Sequence, residues 1–140
     1  MPQDRKQATR KVWLDRLSHH RKGYEGPDSE AYWVSSLDAA SRDEIIAIQN
    51  DKLEALGPFL YENSEFYRRR FDRLGLAASD IKTVDDLYEW PVIDKQEMIE
   101  DALANPPYGT YQTIGDADWV NRGWMLFSSS GSTGTPRVFR

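Results

Sequence analysis

Ten residues near the end of the chain carry the strongest chemical signal: Ser128-Ser129-Ser130-Gly131-Ser132-Thr133-Gly134-Thr135-Pro136-Arg137. Gly131 and Gly134 permit backbone angles that aim successive N–H groups into one concavity and let an anion approach closely. Ser129, Ser130, Ser132, Thr133 and Thr135 add hydroxyl donors, and Arg137 adds a permanent positive charge able to reach phosphate oxygens. Pro136 stiffens the exit. These are the parts of a phosphate cradle. It is not a Walker loop, because Thr135-Pro136 follows Gly134 where that motif needs Lys and then Ser or Thr. Nor is it a dinucleotide fingerprint, since the glycine spacing differs and a hairpin, not a helix, is expected to follow.

A flexible Ser/Gly/Thr linker has the same composition. Position argues against it: the stretch lies between the apolar runs Trp124-Met125-Leu126-Phe127 and Val138-Phe139, which have strand composition. Trp119-Val120 is a further short run of that kind.

The elements that must carry this loop are helical. Ser41 followed three residues later by Glu44 is a capping box, and Ile45, Ile48, Leu53, Leu56 and Leu60 recur near helical period behind it. Gly57-Pro58 is expected to bend or briefly interrupt that helix. A second helix is expected from Ser64 to Leu74, ended by Gly75 in a left-handed cap. Phe66, Tyr67 and Phe71 would face inward. Arg68, Arg69, Arg70 and Arg73 would form a solvated face pairing with Glu62, Glu65 and Asp72, because consecutive helical residues turn about 100° apart and cannot converge on one anion. Thr83 starts a short helix with Leu87 and Tyr88, closed by Trp90-Pro91. Asp94 caps another that runs through Ala104 and ends at Asn105-Pro106-Pro107. The fold class expected is α/β (α+β): a helical first part leading into the first strands of a larger domain. No internal repeat is visible.

The 140 residues are 39% hydrophobic and 12% aromatic, enough for a packed core and unlike a disordered chain. No cysteine is present, so no disulfide, thiolate metal site or cysteine nucleophile is available. No apolar run is long enough to span a membrane. The net charge of -5 is uneven. Residues 1–22 hold seven Lys/Arg against two Asp, a net +5, while the rest holds eleven basic and twenty-one acidic residues, a net -10. The acidic body disfavours nucleic acid. The basic head reads first as a solvated, partly frayed helix carrying Val12, Trp13, Leu14 and Leu17, ahead of a helix for an acidic surface or a weak targeting segment. Gly23–Pro27 marks its end. His19 and His20 lie in this head without the context of a catalytic triad. The carboxylate pairs Asp85-Asp86 and Glu100-Asp101 read as cap and surface residues.

The loop order Ser129-Ser130-Gly131-Ser132-Thr133-Gly134-Thr135-Pro136-Arg137 resembles the Ser/Thr-Ser-Gly-Thr/Ser-Thr-Gly-x-Pro-Lys/Arg loop of adenylate-forming enzymes: acyl-CoA synthetases, luciferases and adenylation domains. Upstream, Asn63-Ser64-Glu65-Phe66-Tyr67-Arg68-Arg69-Arg70-Phe71 resembles a segment of the phenylacetate-CoA ligase group. So do Asp80-Ile81-Lys82-Thr83-Val84-Asp85-Asp86-Leu87 and Trp90-Pro91-Val92-Ile93-Asp94-Lys95. The resemblance covers about residues 30–140 and divides the chain into a basic extension, 1–28, and part of an adenylate-forming domain, 29–140.

The resemblance implies an ATP-dependent acid-CoA ligase, acting in the cytoplasm on a small carboxylic acid of the aryl or arylacetic type, with ATP, Mg2+ and CoA as co-substrates. A homodimer of the complete enzyme is compatible with it. Ser129, Ser130, Gly131, Ser132, Thr133, Gly134, Thr135 and Arg137 would hold the pyrophosphate half of ATP. Thr135 stands where the group often has Lys, which leaves the basic role to Arg137. The adenine and ribose contacts, the metal-binding acid and the catalytic lysine of the family match nothing in residues 1–140, so this segment is not expected to complete catalysis by itself. The rival expectation is a non-catalytic interaction module, or a truncated homologue that pairs with a partner chain and uses the helices of Ser41–Leu74 as its docking surface.

Overall fold

The structure is a computed structural model that describes residues 2–20, 27, 29–115, 125–128 and 138–139. In chain order these form α1 (Pro2–His20), α2 (Ser35–Asp38), α3 (Arg42–Asn63), α4 (Glu65–Leu74), a 3-10 turn (Asp85–Glu89), α5 (Lys95–Ala104), β1 (Phe127–Ser128) and β2 (Val138–Phe139). The chain divides into two compact units. One comprises Met1–Phe59 with Ala77–Trp90, the other Leu60–Leu76 with Pro91–Arg140.

In the first unit α3 starts on the expected capping box. The Ser41 N–H donates to Glu44 Oε2 at 2.8 Å, and the Glu44 N–H donates to Ser41 Oγ at 3.3 Å. These bonds satisfy helix-start amides and hold the Glu44 carboxyl below its ordinary range. The helix then runs unbroken through Gly57-Pro58, against the expectation of an interruption there. Pro58 removes one N–H, and Glu54, whose carbonyl would have accepted it, is exposed. Leu53, Ala55 and Phe59 on either side are buried and hold the helix across the gap. Of the expected apolar stripe Leu53 is buried, whereas Ile45, Ile48, Leu56 and Leu60 are only part-buried. Gly57 takes their place in the packing for a steric reason. A Cβ at Gly57 would lie 2.2 Å from the Ala78 carbonyl oxygen and 3.7 Å from the buried Ile81 side chain.

The basic head is a helix, α1, but not simply a solvated one. Trp13 stacks on Phe59 with ring centroids 5.8 Å apart and an 18° interplanar angle. Farther along the same helix, Arg16 Nη1 and His20 Nε2 each approach an oxygen of Asp51 at 2.7 Å. The head therefore lies along α3, joined by an aromatic stack and a shared carboxylate. The 3-10 turn is tied to the same helix, since the Val84 N–H donates to Asn50 Oδ1 at 2.9 Å. Asp86 accepts from the N–H groups of Lys82 and Thr83, which keeps its carboxyl below the usual range.

In the second unit α4 has the expected ends. Ser64 is fully buried and its hydroxyl accepts from the Tyr67 N–H. Gly75 closes the helix at φ 66°, with its N–H donating to Asp72 O and the Leu76 N–H to Phe71 O. That is a Schellman motif, and it requires a left-handed residue at Gly75. Phe66 and Phe71 are buried as expected, and Asp94 caps α5 by accepting from the Glu97 N–H at 2.8 Å. β1 and β2 pair antiparallel, with Phe127 opposite Phe139 and Ser128 opposite Val138. The strand expected from Trp124 begins only at Phe127, because the ladder reaches no further than the two residues facing β2; Met125 and Leu126 are not in a strand. Trp119, Val120 and Trp124 lie outside the described residues, as do most residues of Gly23–Pro27. The architecture described is thus helical with one two-residue strand pair, and a wider sheet is not part of it among the described residues.

Candidate functional site

The candidate loop, Ser129, Ser130, Gly131, Ser132, Thr133, Gly134, Thr135 and Arg137, lies outside the described residues. Its flanks do not. Ser128 and Val138 are paired across the ladder, so the chain leaves for the loop and returns from it at neighbouring backbone positions. A connection that must start and finish at adjacent points of an antiparallel pair is a hairpin connection, as the strand composition on either side implied.

The densest polar arrangement among the described residues lies elsewhere in the second unit, around α4 and α5. Arg70 is buried at 5% exposure. Its Nη1 meets Glu97 Oε2 at 2.5 Å, while Nη2 donates to the carbonyls of Pro91 at 2.6 Å and Val92 at 2.9 Å. Arg73 reaches the other oxygen of Glu97 at 2.7 Å. The hydrogen bond from Arg73 and the positive charge of Arg70 hold the Glu97 carboxyl below its ordinary range.

Next to Arg70 on α4, Arg69 bridges Glu65 at 2.7 Å and Asp101 at 2.6 Å. Asp101 is buried and also accepts from the Thr110 N–H at 2.5 Å and the Thr110 hydroxyl at 2.6 Å. The Thr110 carbonyl in turn accepts from the Ser64 hydroxyl at 3.1 Å and the Phe66 N–H at 3.2 Å. Arg68 turns back to the end of α3 and donates to the carbonyls of Tyr61 and Glu62, both at 3.0 Å.

This corrects the expected solvated arginine face. Arg69 does pair with Glu65, but Arg70 is a buried structural cation, Arg68 caps a helix end, and Asp72 accepts from the Tyr61 hydroxyl at 3.0 Å. That last bond raises the Tyr61 pKa above the usual phenol value. The reason is the return of residues 91–110 against α4, which supplies carbonyls and carboxylates that no helical-face argument includes. Asp101, expected on the surface, is buried for the same reason.

An open groove of about 570 Å³ is lined by Arg69, Arg73, Glu97, Glu100 and Asn105, with Phe66 at its apolar side. Its three arginines, Arg70 included, are each paired with Asp101 or Glu97, and the exposed Glu100 accepts from the Gln96 amide at 3.0 Å, which makes it a packing joint. Among the described residues no cluster of three His, Cys, Asp or Glu side chains could hold a metal ion. His20 and Asp51, overlooked as a pair in the sequence, are joined by Arg16 and not by a hydroxyl nucleophile. Catalytic machinery is therefore not found among the described residues.

Comparison with known proteins gives the chain its relatives. It is 33% identical over 105 residues to the phenylacetate-coenzyme A ligase of Escherichia coli (strain K12) and 32% identical over 105 residues to that of Aromatoleum evansii. Each match covers 75% of this chain. The chain is homologous to phenylacetate-coenzyme A ligases. It spans 22% of the length of each of these two ligases.

Solved acid-CoA ligases share its fold. The 2-hydroxyisobutyryl-CoA ligase in its postadenylation state, in complex with 2-HIB-AMP, superposes with a TM-score of 0.72 at 22% identity, covering 91% of this chain and 26% of that one. The same ligase with 2-HIB-AMP and CoA in the thioesterification state gives 0.71 at 25% identity, covering 86% and 24%. A scan against protein-family models matches none.

Proposed function

We propose that the chain supplies part of an AMP-forming acid-CoA ligase, and that Ser129, Ser130, Gly131, Ser132, Thr133, Gly134, Thr135 and Arg137 hold the pyrophosphate half of ATP. The observation that carries the reading is the homology to phenylacetate-coenzyme A ligases across three quarters of the chain. The paired flanks of the loop agree with it, since a strand pair fixes both ends of a phosphate cradle.

In the reaction proposed, a carboxylate oxygen attacks the α-phosphorus of ATP and pyrophosphate leaves, giving an acyl-adenylate. The CoA thiol then attacks the acyl carbon, forming the thioester and releasing AMP and a proton. The donor set of the loop suits the first step: backbone N–H groups and hydroxyls to orient the phosphates, and one guanidinium to offset charge gathering on the departing pyrophosphate. Magnesium, when bound, would supply further neutralisation of phosphate charge.

The acid is proposed to be aryl or arylacetic, by analogy with the homologous ligases. The setting is proposed to be the cytoplasm, and the assembly a homodimer. No helix among the described residues is long and apolar enough to cross a membrane. The α/β character belongs to this proposal too, with β1 and β2 as the first strands of a larger sheet and residues 29–140 as part of the adenylate-forming domain.

The test is ATP–pyrophosphate exchange by the protein purified as its native gene produces it, with magnesium and a panel of aromatic acids, after its intact mass is measured. Exchange that depends on one of the acids supports the reading. Absence of exchange with every acid, in a protein that binds no ATP, overturns it.

A further inference from the structure

No further inference is drawn: the strongest candidate, the open groove beside α4 and α5 in the second unit, has each of its three arginines paired with Asp101 or Glu97 and its Glu100 bonded to Gln96, so nothing in it is aimed at a ligand.

Discussion

Arg70 and Glu97 meet at 2.5 Å although 27 residues separate them in sequence, and the arginine is 5% exposed. The same guanidinium closes on the Pro91 and Val92 carbonyls, so one side chain fastens the segment leading into α5 against α4. Truncating it strands two carbonyls and removes the inner partner of a carboxylate. Breaking a buried ion pair by removing one partner costs about 3–5 kcal/mol, and access of solvent to Glu97 places this case near the lower end. We expect Arg70→Ala to lose about 3 kcal/mol in urea unfolding. Arg70→Lys should recover only part, because an ammonium lacks the planar fork that serves three acceptors at once. Full recovery by lysine would show that charge, not geometry, holds the segment.

The same pair sets an acid limit. The Glu97 carboxyl is held below its ordinary value by the hydrogen bond from Arg73 and the charge of Arg70. A group with a depressed folded pKa contributes stability that is present above its unfolded pKa and lost as pH falls through the folded one. Stability should therefore decline as pH drops below the ordinary glutamate range of about 4.3. Glu44 and Asp86, held low by their own hydrogen bonds, add to the slope in the same direction. Glu97→Gln should lower stability at neutral pH and flatten the acid limb of a pH–stability curve. An unchanged acid limb in that variant would remove Glu97 from the account.

Two glycines are expected to resist substitution for different reasons. At Gly57 the obstacle is space, because a Cβ would meet the Ala78 carbonyl oxygen at 2.2 Å and backbone cannot swing aside as a side chain can. At Gly109 the obstacle is twofold: φ is +76°, and a Cβ would lie 2.6 Å from Asp101 Oδ2. Overpacking typically costs about 1–3 kcal/mol. Gly57→Ala and Gly109→Ala should both fall in that range by thermal unfolding, whereas an alanine at Gly75, where no atom lies near, carries the left-handed penalty without a clash, about 1 kcal/mol. Equal losses at all three positions would show that backbone conformation outweighs the close contacts.

Much of the helical layout could be read from the chain because its signals close within a few residues. Ser41 with Glu44, Ser64 with Tyr67, Asp94 with Glu97 and Gly75 with Asp72 are bonds three or four residues long, and residue type alone announces them. What could not be read is what returns from afar. Arg70 looks like any arginine on a charged face until residues 91–97 come back over it. Ser64 reaches Thr110 across 46 residues, and Trp13 reaches Phe59 across the same span. Gly57-Pro58 misled in the other direction, because a proline's missing bond is local while the burial around it is not. The loop is the converse case: its residue order carries the resemblance, and its placement lies outside the described residues.

The attachment of α1 is testable at the Trp13–Phe59 stack and at Asp51. Aromatic pairs contribute about 0.5–1.5 kcal/mol beyond their buried area. Trp13→Ala should therefore speed amide hydrogen exchange throughout Pro2–His20 while leaving α4 and α5 protected. Asp51→Ala should do the same, since Arg16 and His20 both bond that carboxylate. Exchange in α1 that responds to neither substitution would mean that other contacts hold it.

Arg137 is the decisive residue for the proposed chemistry, because Thr135 leaves it the one permanent cation of the loop. A hydrogen bond to a charged group is worth about 1.5–3 kcal/mol, which corresponds to roughly 10- to 150-fold in rate. In the protein as its native gene produces it, Arg137→Ala should lower ATP–pyrophosphate exchange by a factor in that range. The unfolding free energy should stay within about 0.5 kcal/mol of the unaltered protein if Arg137 serves the phosphate site and not the fold. Arg137→Lys should restore part of the exchange, since an ammonium supplies the charge without the bidentate fork. Undiminished exchange in Arg137→Ala would remove Arg137 from the phosphate site. A large drop in stability instead would make it a structural residue whose loss acts through folding.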